Sequence, residues 1–479
     1  MPSQVALLLW MILLLALLRF DPAKAPGTST ALWVPLIWLF ITATRLPSQW
    51  LGGSTGSAAQ AFEDGNPLDR AVFTTLILLA IVILVLRAFN WGSFFARNIS
   101  LVVLLIFALI SVVWSDFAFV AFKRWFRDLG NYLVILVVMS DLYPLEAANT
   151  VLRRLGYVLI SLSVLLVKYF PEIGMQYSYW TGAAMFVGPT TGKNMLGVLC
   201  LVSGIFFFWD LMTRWHDRKD RATRRILMVN VAFIGMTLWL LTLAGSATSS
   251  LCLTVGCLVI VAAKTNTFQR HPGFLKFMIR TTFCIYLVLA FGFDINGELA
   301  GSVGRDPSLT GRSNIWAAVL STHTNPIIGT GYESFWLGPR LEHVWKLAGQ
   351  VNEAHNGYLE IYLNLGLIGD FLLVAFMLAS YRTICKRLSP SFSLGSLALA
   401  LWMVMLFYNM TESAAFKGQY IWVIFILLVL TVTSHTPVVR DELTAEKPSV
   451  RKFTFPEREG VAIPGEVSTG LTPRPHRYR

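Results

Sequence analysis

Long apolar stretches recur along this chain, separated by short polar or charged segments. Each runs unbroken for about 15–23 residues, close to the length that carries an α-helix across the hydrocarbon core of a bilayer. They fall at roughly 4–18, 31–46, 71–89, 99–115, 128–141, 151–168, 194–211, 226–243, 247–263, 277–293, 358–380, 395–410 and 419–434. Backbone polar groups in lipid must pair within their own segment, so each stretch is expected to be a helix. The pattern predicts an all-α polytopic membrane protein with about 12–13 transmembrane helices, the first short enough to be re-entrant. A β-barrel would instead alternate polarity over roughly ten-residue strands.

Composition agrees: 55% of the 479 residues are hydrophobic and 14% charged, more apolar surface than a water-soluble fold of this length buries. Cys200, Cys252, Cys257, Cys284 and Cys385 lie within or at the edge of apolar segments without a CxxC pattern, and read as small core hydrophobes. The apolar run from Val5 to Leu18 lacks a basic leader and a small-residue cleavage site, so it is expected to stay as a first membrane helix.

Sidedness follows from the most basic short loops, 213–225, 264–280 and 381–387, which the excess of Lys and Arg places in the cytoplasm. Threading outward puts 46–70, 116–127, 169–193, 294–357 and 411–418 on the opposite face. The expected organisation is a bundle over 1–434, with 294–357 as a large extracytoplasmic loop, and a disordered cytoplasmic tail over 435–479. The formal charge of +12 does not call for nucleic acid, because the basic residues lie mostly in loops flanking the membrane, where topology and anionic lipid account for them.

Several cations fall on the outer face: Lys123, Arg124 and Arg127 in FKRWFRD, Lys193 in GPTTGKN, Arg312 in TGRSNIW and Lys417 in AAFKGQY. Positive charge at the membrane interface calls for an anionic partner, and a pyrophosphate-linked lipid would supply one to Arg forks and mobile Lys charges. An interfacial helix touching ordinary headgroups accounts equally well for Lys123 and Arg124. Lys193 and Asn194 open a helix after a Gly-Pro-Thr-Thr-Gly turn, where free backbone donors favour an anion. Arg312 has Asp306 and Glu333 as competing salt-bridge partners in its loop.

The ordered pieces GKNMLG (192–197), LAGSATSSL (243–251), GRSNIW (311–316), Pro326, Gly329, Gly331 and Phe335, AHNGYLEIYLNLGLIG (354–369) and NMTES (409–413) resemble the O-antigen ligase and polysaccharide polymerase superfamily of bacterial inner-membrane proteins. The resemblance implies a C-type glycosyltransferase-like helical bundle whose site opens to the periplasm. It implies a polyprenyl-pyrophosphate-linked oligosaccharide and a saccharide acceptor as substrates, with no cofactor and no metal. Membrane lipids, and chain-length and export proteins of a polysaccharide pathway, would be its neighbours. It also raises Arg312 above Arg340 and Lys346 as a phosphate contact. Many ligase-type members carry Arg after the first Ser of the Ser-rich piece, where this chain has Ala247. That departure leaves Lys193 as a substitute and makes the chain more similar to exopolysaccharide polymerases of the succinoglycan type than to ligases acting on lipid A core.

Sugar transfer from pyrophosphate needs cations for the leaving group and a base for the acceptor hydroxyl. His355 is the expected base: it stands at the outer mouth of a membrane helix, titrates near neutrality, and aligns with the family's loop histidine. Glu353 and Glu412 either orient or replace it, or pair with Lys417 or Arg312. Tyr358 and Tyr362 follow His355 at helical spacing and could share its face. With Asn194, Ser246 and Asn356, which stand in the matching pieces, they are the candidates for the sugar and lipid cleft. The competing reading of the histidine region is a helix cap at His355 and Asn356 with an interfacial Tyr belt. Trp316, Trp336 and Trp345 read first as interface anchors and second as platforms for sugar faces. A lipid-linked sugar transporter is the alternative from another class; it calls for ionisable groups at the midplane and repeated halves, and neither stands out in the sequence.

Overall fold

A computed structural model of the chain describes residues 1–19, 29–52, 65–177, 182–265, 312–388, 392–413 and 419–430, with a few positions between 270 and 281. Twelve of the apolar stretches are helical there: α1 (Ser3–Arg19), α2 (Trp33–Ala43), α3 (Pro67–Leu86), α5 (Ile99–Ile110, preceded by α4, Trp91–Arg97), α6 (Ala118–Met139), α7 (Pro144–Tyr169), α8 (Lys193–Arg214), α9 (Arg221–Ala244), α10 (Ala247–Lys264), α13 (Gly357–Arg387), α14 (Phe392–Thr411) and α15 (Tyr420–Val429). The stretch at 277–293 lies almost wholly outside the described residues, as do Cys284, Asp306, Lys417 and the tail over 435–479.

Seven of these helices, α3, α7, α8, α9, α10, α13 and α14, are long and apolar enough to cross a membrane, or eight spans if the pair that bends by 95° at Asn98 counts as one. The protein is a multi-pass all-α membrane protein. The expected 12–13 crossings exceed this number, which covers the described residues only, because 277–293 lies almost wholly outside them, because α1, α2 and α15 are shorter apolar helices and because α6 carries Lys123, Arg124, Arg127 and Asp128 in its first half.

Local chemistry sets the helix ends. The Asn66 side chain accepts from the Leu68 N–H at 2.8 Å ahead of Pro67, and Asp220 accepts from Thr223 N–H at 2.8 Å to start α9. Large apolar side chains remain exposed on α3 (Leu79, Val82, Leu86) and α9 (Met228, Val231, Leu238), as a lipid-facing surface requires, while α8, α14 and α15 are buried at the centre.

The large loop contributes α11 (Arg312–Leu320) and α12 (Gly338–Ala348), packed around Phe335, Trp336, Ala354 and Leu363 as a second, smaller core. It is docked on the bundle through a break in α13. Gly366 is left-handed (φ 65°, ψ −168°), and the segment 326–331 supplies the hydrogen bonds that the interrupted helix lacks. Leu367 and Ile368 N–H donate to the Pro326 and Ile327 carbonyls at 2.9 and 3.1 Å, and Thr330 and Gly331 N–H donate to Leu363 and Asn364 at 3.1 and 2.9 Å. A Cβ on Gly366 would come within 2.3 Å of the Ile327 backbone, and one on Gly329 within 2.4 Å of Asn364. Only glycine fits this approach.

Candidate active site

The residues just ahead of α13 carry the chemistry. Asn356 caps the helix, its Oδ1 accepting from the Tyr358 and Leu359 N–H groups at 3.1 and 3.2 Å. His355, before it, is left-handed with φ 50°. A residue with a Cβ holds that conformation at a cost of about 1–3 kcal/mol, so its surroundings must fix it.

The imidazole Nδ1 lies 3.1 Å from Glu353 Oε1 and 3.2 Å from Glu412 Oε2. Glu412 uses its other oxygen, Oε1, to accept from Arg312 Nη2 at 2.7 Å and from Asn194 Nδ2 at 3.2 Å. Glu353 Oε2 accepts from Ser413 Oγ at 2.5 Å. The start of α8, the start of α11, the end of the large loop and the end of α14 therefore meet at one point. Three of the loops expected on one face of the membrane thus come together. The Glu412 side chain is 6% exposed and Arg312 13%, while His355 is 26% exposed. The ion pair is buried and the imidazole reachable.

Burial by itself would lower the pKa of His355, but the hydrogen bond to Glu412 and the negative charges of Glu353 and Glu412 outweigh it. They also outweigh the opposing charge of Arg312, and the net direction is upward. With two carboxylates at Nδ1, that nitrogen is assigned the proton, which leaves Nε2 as the basic atom.

Glu353, His355 and Glu412 also form a donor set for a metal ion, with ligand atoms within 4.8 Å of one another. The Arg312 guanidinium and the Asn194 amide already bind Oε1 of Glu412, and a cation there would face the Arg312 charge.

The remaining expected residues divide. Lys193, the exposed first residue of α8, is adjacent to Asn194 and so stands at the cluster's edge. Arg312 pairs with Glu412 and not with Glu333. Arg124 and Arg127 join a different polar group: Arg124 donates to the Glu333 carbonyl, Arg127 pairs with Asp128 at 3.2 Å, and Tyr332 Oη donates to Asp128 Oδ2 at 2.8 Å.

Ser246 is buried, caps α10 and donates to Ser249 Oγ at 3.0 Å, so its hydroxyl is engaged within the fold. The face shared by His355, Tyr358 and Tyr362 is not formed, because the helix begins only after the left-handed histidine. Tyr358 packs on the bundle and donates to the Leu406 carbonyl at 3.2 Å, whereas Tyr362 packs in the loop core. Each of the three indoles donates a hydrogen bond within the protein. Trp316 Nε1 donates to the Ala354 carbonyl at 2.8 Å, Trp345 Nε1 to the Val351 carbonyl at 2.8 Å, and Trp336 Nε1 to both Glu360 oxygens at 3.1 and 3.0 Å.

Sequence reasoning passed over Glu360 and Asn364, which hold the loop to α13. Asn364 Oδ1 accepts from the Ser334 and Phe335 N–H groups at 2.9 and 3.1 Å. The signal was present: an acidic residue inside an apolar helix, with an amide four residues on along the same face.

An imidazole braced by two carboxylates, one of them bound to arginine, at the meeting of interhelical loops on a membrane bundle fits the motif order read from the sequence. Residues 178–375 match the family described as O-antigen ligase. The matched segment takes in the GKNMLG, LAGSATSSL, GRSNIW and AHNGYLEIYLNLGLIG pieces, in agreement with the resemblance read from the sequence. Among individual proteins the chain is similar to the exopolysaccharide production protein ExoQ of Rhizobium meliloti (strain 1021), at 22% identity over 297 residues. That alignment covers 59% of this chain and 64% of ExoQ, so the chain spans slightly under two thirds of that relative's length. The family match ends before α14, and Glu412 lies beyond it.

Proposed function

We propose that this protein is a glycosyltransferase of the bacterial inner membrane that moves an oligosaccharide from a polyprenyl pyrophosphate carrier onto a sugar hydroxyl at the periplasmic face, polymerising exopolysaccharide or O-antigen repeat units. The observation that carries the reading is the His355 imidazole, oriented through Nδ1 by Glu353 and Glu412 and reachable from outside. Kinship with a protein named for exopolysaccharide production favours polymerisation over transfer to lipid A core.

In the proposed step the acceptor oxygen attacks the anomeric carbon, and the bond from that carbon to the pyrophosphate oxygen breaks. His355 Nε2 takes the hydroxyl proton as the new C–O bond forms. The carrier pyrophosphate leaves with the bonding pair, its added charge met by Lys193 and by guanidinium N–H groups of Arg312 beyond Nη2. Glu412 links base and cation, since one of its oxygens faces each.

Purified protein incubated with a polyprenyl-pyrophosphate oligosaccharide tests this, with products run on a gel, alone and with a lipid A core acceptor. A ladder without added acceptor supports polymerisation, a single shift that needs the core acceptor turns the assignment to ligation, and no product in either lane rejects glycosyl transfer.

A further inference from the structure

The backbone of Ala354, just before His355, is held at both its N–H and its carbonyl by side chains of two different helices. On one side the Ala354 N–H donates to Glu360 Oε1 at 2.6 Å. On the other, the Ala354 carbonyl accepts from Trp316 Nε1 at 2.8 Å. Glu360 is 1% exposed and is itself oriented by the indole of Trp336, which is 3% exposed. Ala354, with no exposed surface, sits in the loop core between them. The very next residue is the left-handed histidine.

We propose that Glu360 and Trp316 are positioning residues: they clamp the Ala354 peptide so that His355 is held in its left-handed conformation with Nδ1 on Glu353 and Glu412. Positive φ is uncommon for any residue with a Cβ, and a chain free at residue 354 relaxes toward ordinary angles and withdraws the ring from the carboxylates. Both clamping groups come from elements whose places are set independently. Trp316 lies on α11, which starts at Arg312, so the helix that delivers the arginine to Glu412 also delivers the indole to Ala354. Glu360 lies one turn inside α13, on the helix that Asn356 caps. Arginine, histidine and clamp form one rigid assembly, and shifts of about 1 Å at such a point cost on the order of 100-fold in rate.

The inference rests on His355 as the base for its effect on turnover, and the decisive readout does not. Diethyl pyrocarbonate modifies neutral imidazole, so mass spectrometry of the His355 peptide across a pH series reports the titration of that ring in the folded protein. In Trp316→Phe, which removes the indole N–H and keeps an aromatic ring, the His355 midpoint is expected to fall toward that of a free histidine. Turnover falls by roughly 10- to 100-fold in kcat with KM little changed. Glu360→Gln keeps an oxygen for the Ala354 N–H and is expected to fall between wild type and Glu360→Ala. Trp402→Phe, which removes an indole bond to the Met377 carbonyl within the bundle, serves as the control and leaves the midpoint in place.

An unchanged midpoint in folded Trp316→Phe overturns the clamp, and so does an equal shift in Trp402→Phe. If Glu360 variants do not fold, Trp316→Phe decides alone. A midpoint that shifts in a protein making no saccharide product keeps the clamp and removes the proposed function; product formed at full rate with the midpoint unmoved does the reverse.

Discussion

The two ends of α8 each carry an ionic cluster built around one buried carboxylate, and the clusters differ in what surrounds it. At the far end, Asp210 is saturated: Oδ1 accepts from Arg153 Nη2 and Arg214 Nε, both at 2.9 Å, and Oδ2 from Arg153 Nη1 at 3.1 Å and Asn230 Nδ2 at 2.7 Å. Arg153 and Asp210 side chains are 2% and 3% exposed. At the near end, Glu412 is also buried, but one of its oxygens is given to a partly exposed imidazole that can gain and lose a proton. A carboxylate fully matched by fixed cations ties α7, α8 and α9 together. One that shares its oxygens between a guanidinium and a titrating ring suits a reaction. The contrast separates a role in folding from a role in chemistry, and mutation at the two ends should separate stability from turnover in the same way.

The largest effect is expected at the near end. His355→Ala should lower chain formation by about 10²–10⁴-fold, the range by which a positioned base contributes, while the protein inserts, expresses and melts like wild type. Arg312→Ala should also abolish product. Gel analysis of product beside detergent-solubilised yield checks both, and full turnover in either variant would remove that residue from the site.

At the far end the order reverses. Asp210→Ala leaves Arg153 buried without its carboxylate, and breaking a buried pair this way costs about 3–5 kcal/mol. The expected result is loss of monodisperse protein on size-exclusion after mild heating, with whatever folds retaining activity per molecule. An Asp210→Ala protein as heat-stable as wild type would mean that the network is decoration.

This contrast also shows what could be read without coordinates. Twelve apolar stretches became helices because their length and unbroken hydrophobicity leave backbone no other solution in lipid. His355, Glu353, Glu412, Arg312 and Asn194 were each candidates in the sequence, but that these five meet in one cluster was not legible there, because motif order does not separate them from Ser246 or Arg127. Arg153 and Asp210 were not candidates, because their pairing depends on how α7 packs against α8, and charges at the edge of an apolar stretch look like ordinary flanking polarity. The tyrosine face failed for a related reason. Helical spacing was counted from His355, but the helix starts two residues later, after a backbone angle that residue type does not announce. The hydrogen bonds of the indoles were not legible either, because an interface tryptophan and one that donates within the fold look alike in sequence.

A smaller effect distinguishes the roles of Glu412. Turnover requires unprotonated Nε2, so the rate should rise with pH through the raised pKa of His355. Glu412→Gln removes the hydrogen bond to a charged acceptor and one of the two negative charges, so the acidic limb of the pH–rate profile should move to lower pH. Stability runs the other way. A histidine whose folded pKa is raised contributes stability that is fully present below about 6.5 and is lost as pH rises through the folded value. Wild type should therefore lose a little melting temperature across that window, and Glu412→Gln less. A limb that stays in place would assign Glu412 to Arg312 alone.

The smallest expected effect is none. Chelation with EDTA should leave turnover unchanged, although Glu353, His355 and Glu412 could together ligate a cation. The Arg312 guanidinium at 2.7 Å already provides the positive charge that Glu412 needs, and a divalent ion on the same carboxylate would meet like charge within a few ångströms. The variant that sharpens this is Arg312→Ala. With the guanidinium gone, the trio becomes a site with two carboxylates and an imidazole, and zinc or manganese should bind there and protect His355 from diethyl pyrocarbonate, whereas in wild type neither should. Metal protection of wild-type His355 at micromolar concentration, together with loss of turnover on chelation, would show that the arginine tolerates a cation beside it and would replace the metal-free chemistry argued above.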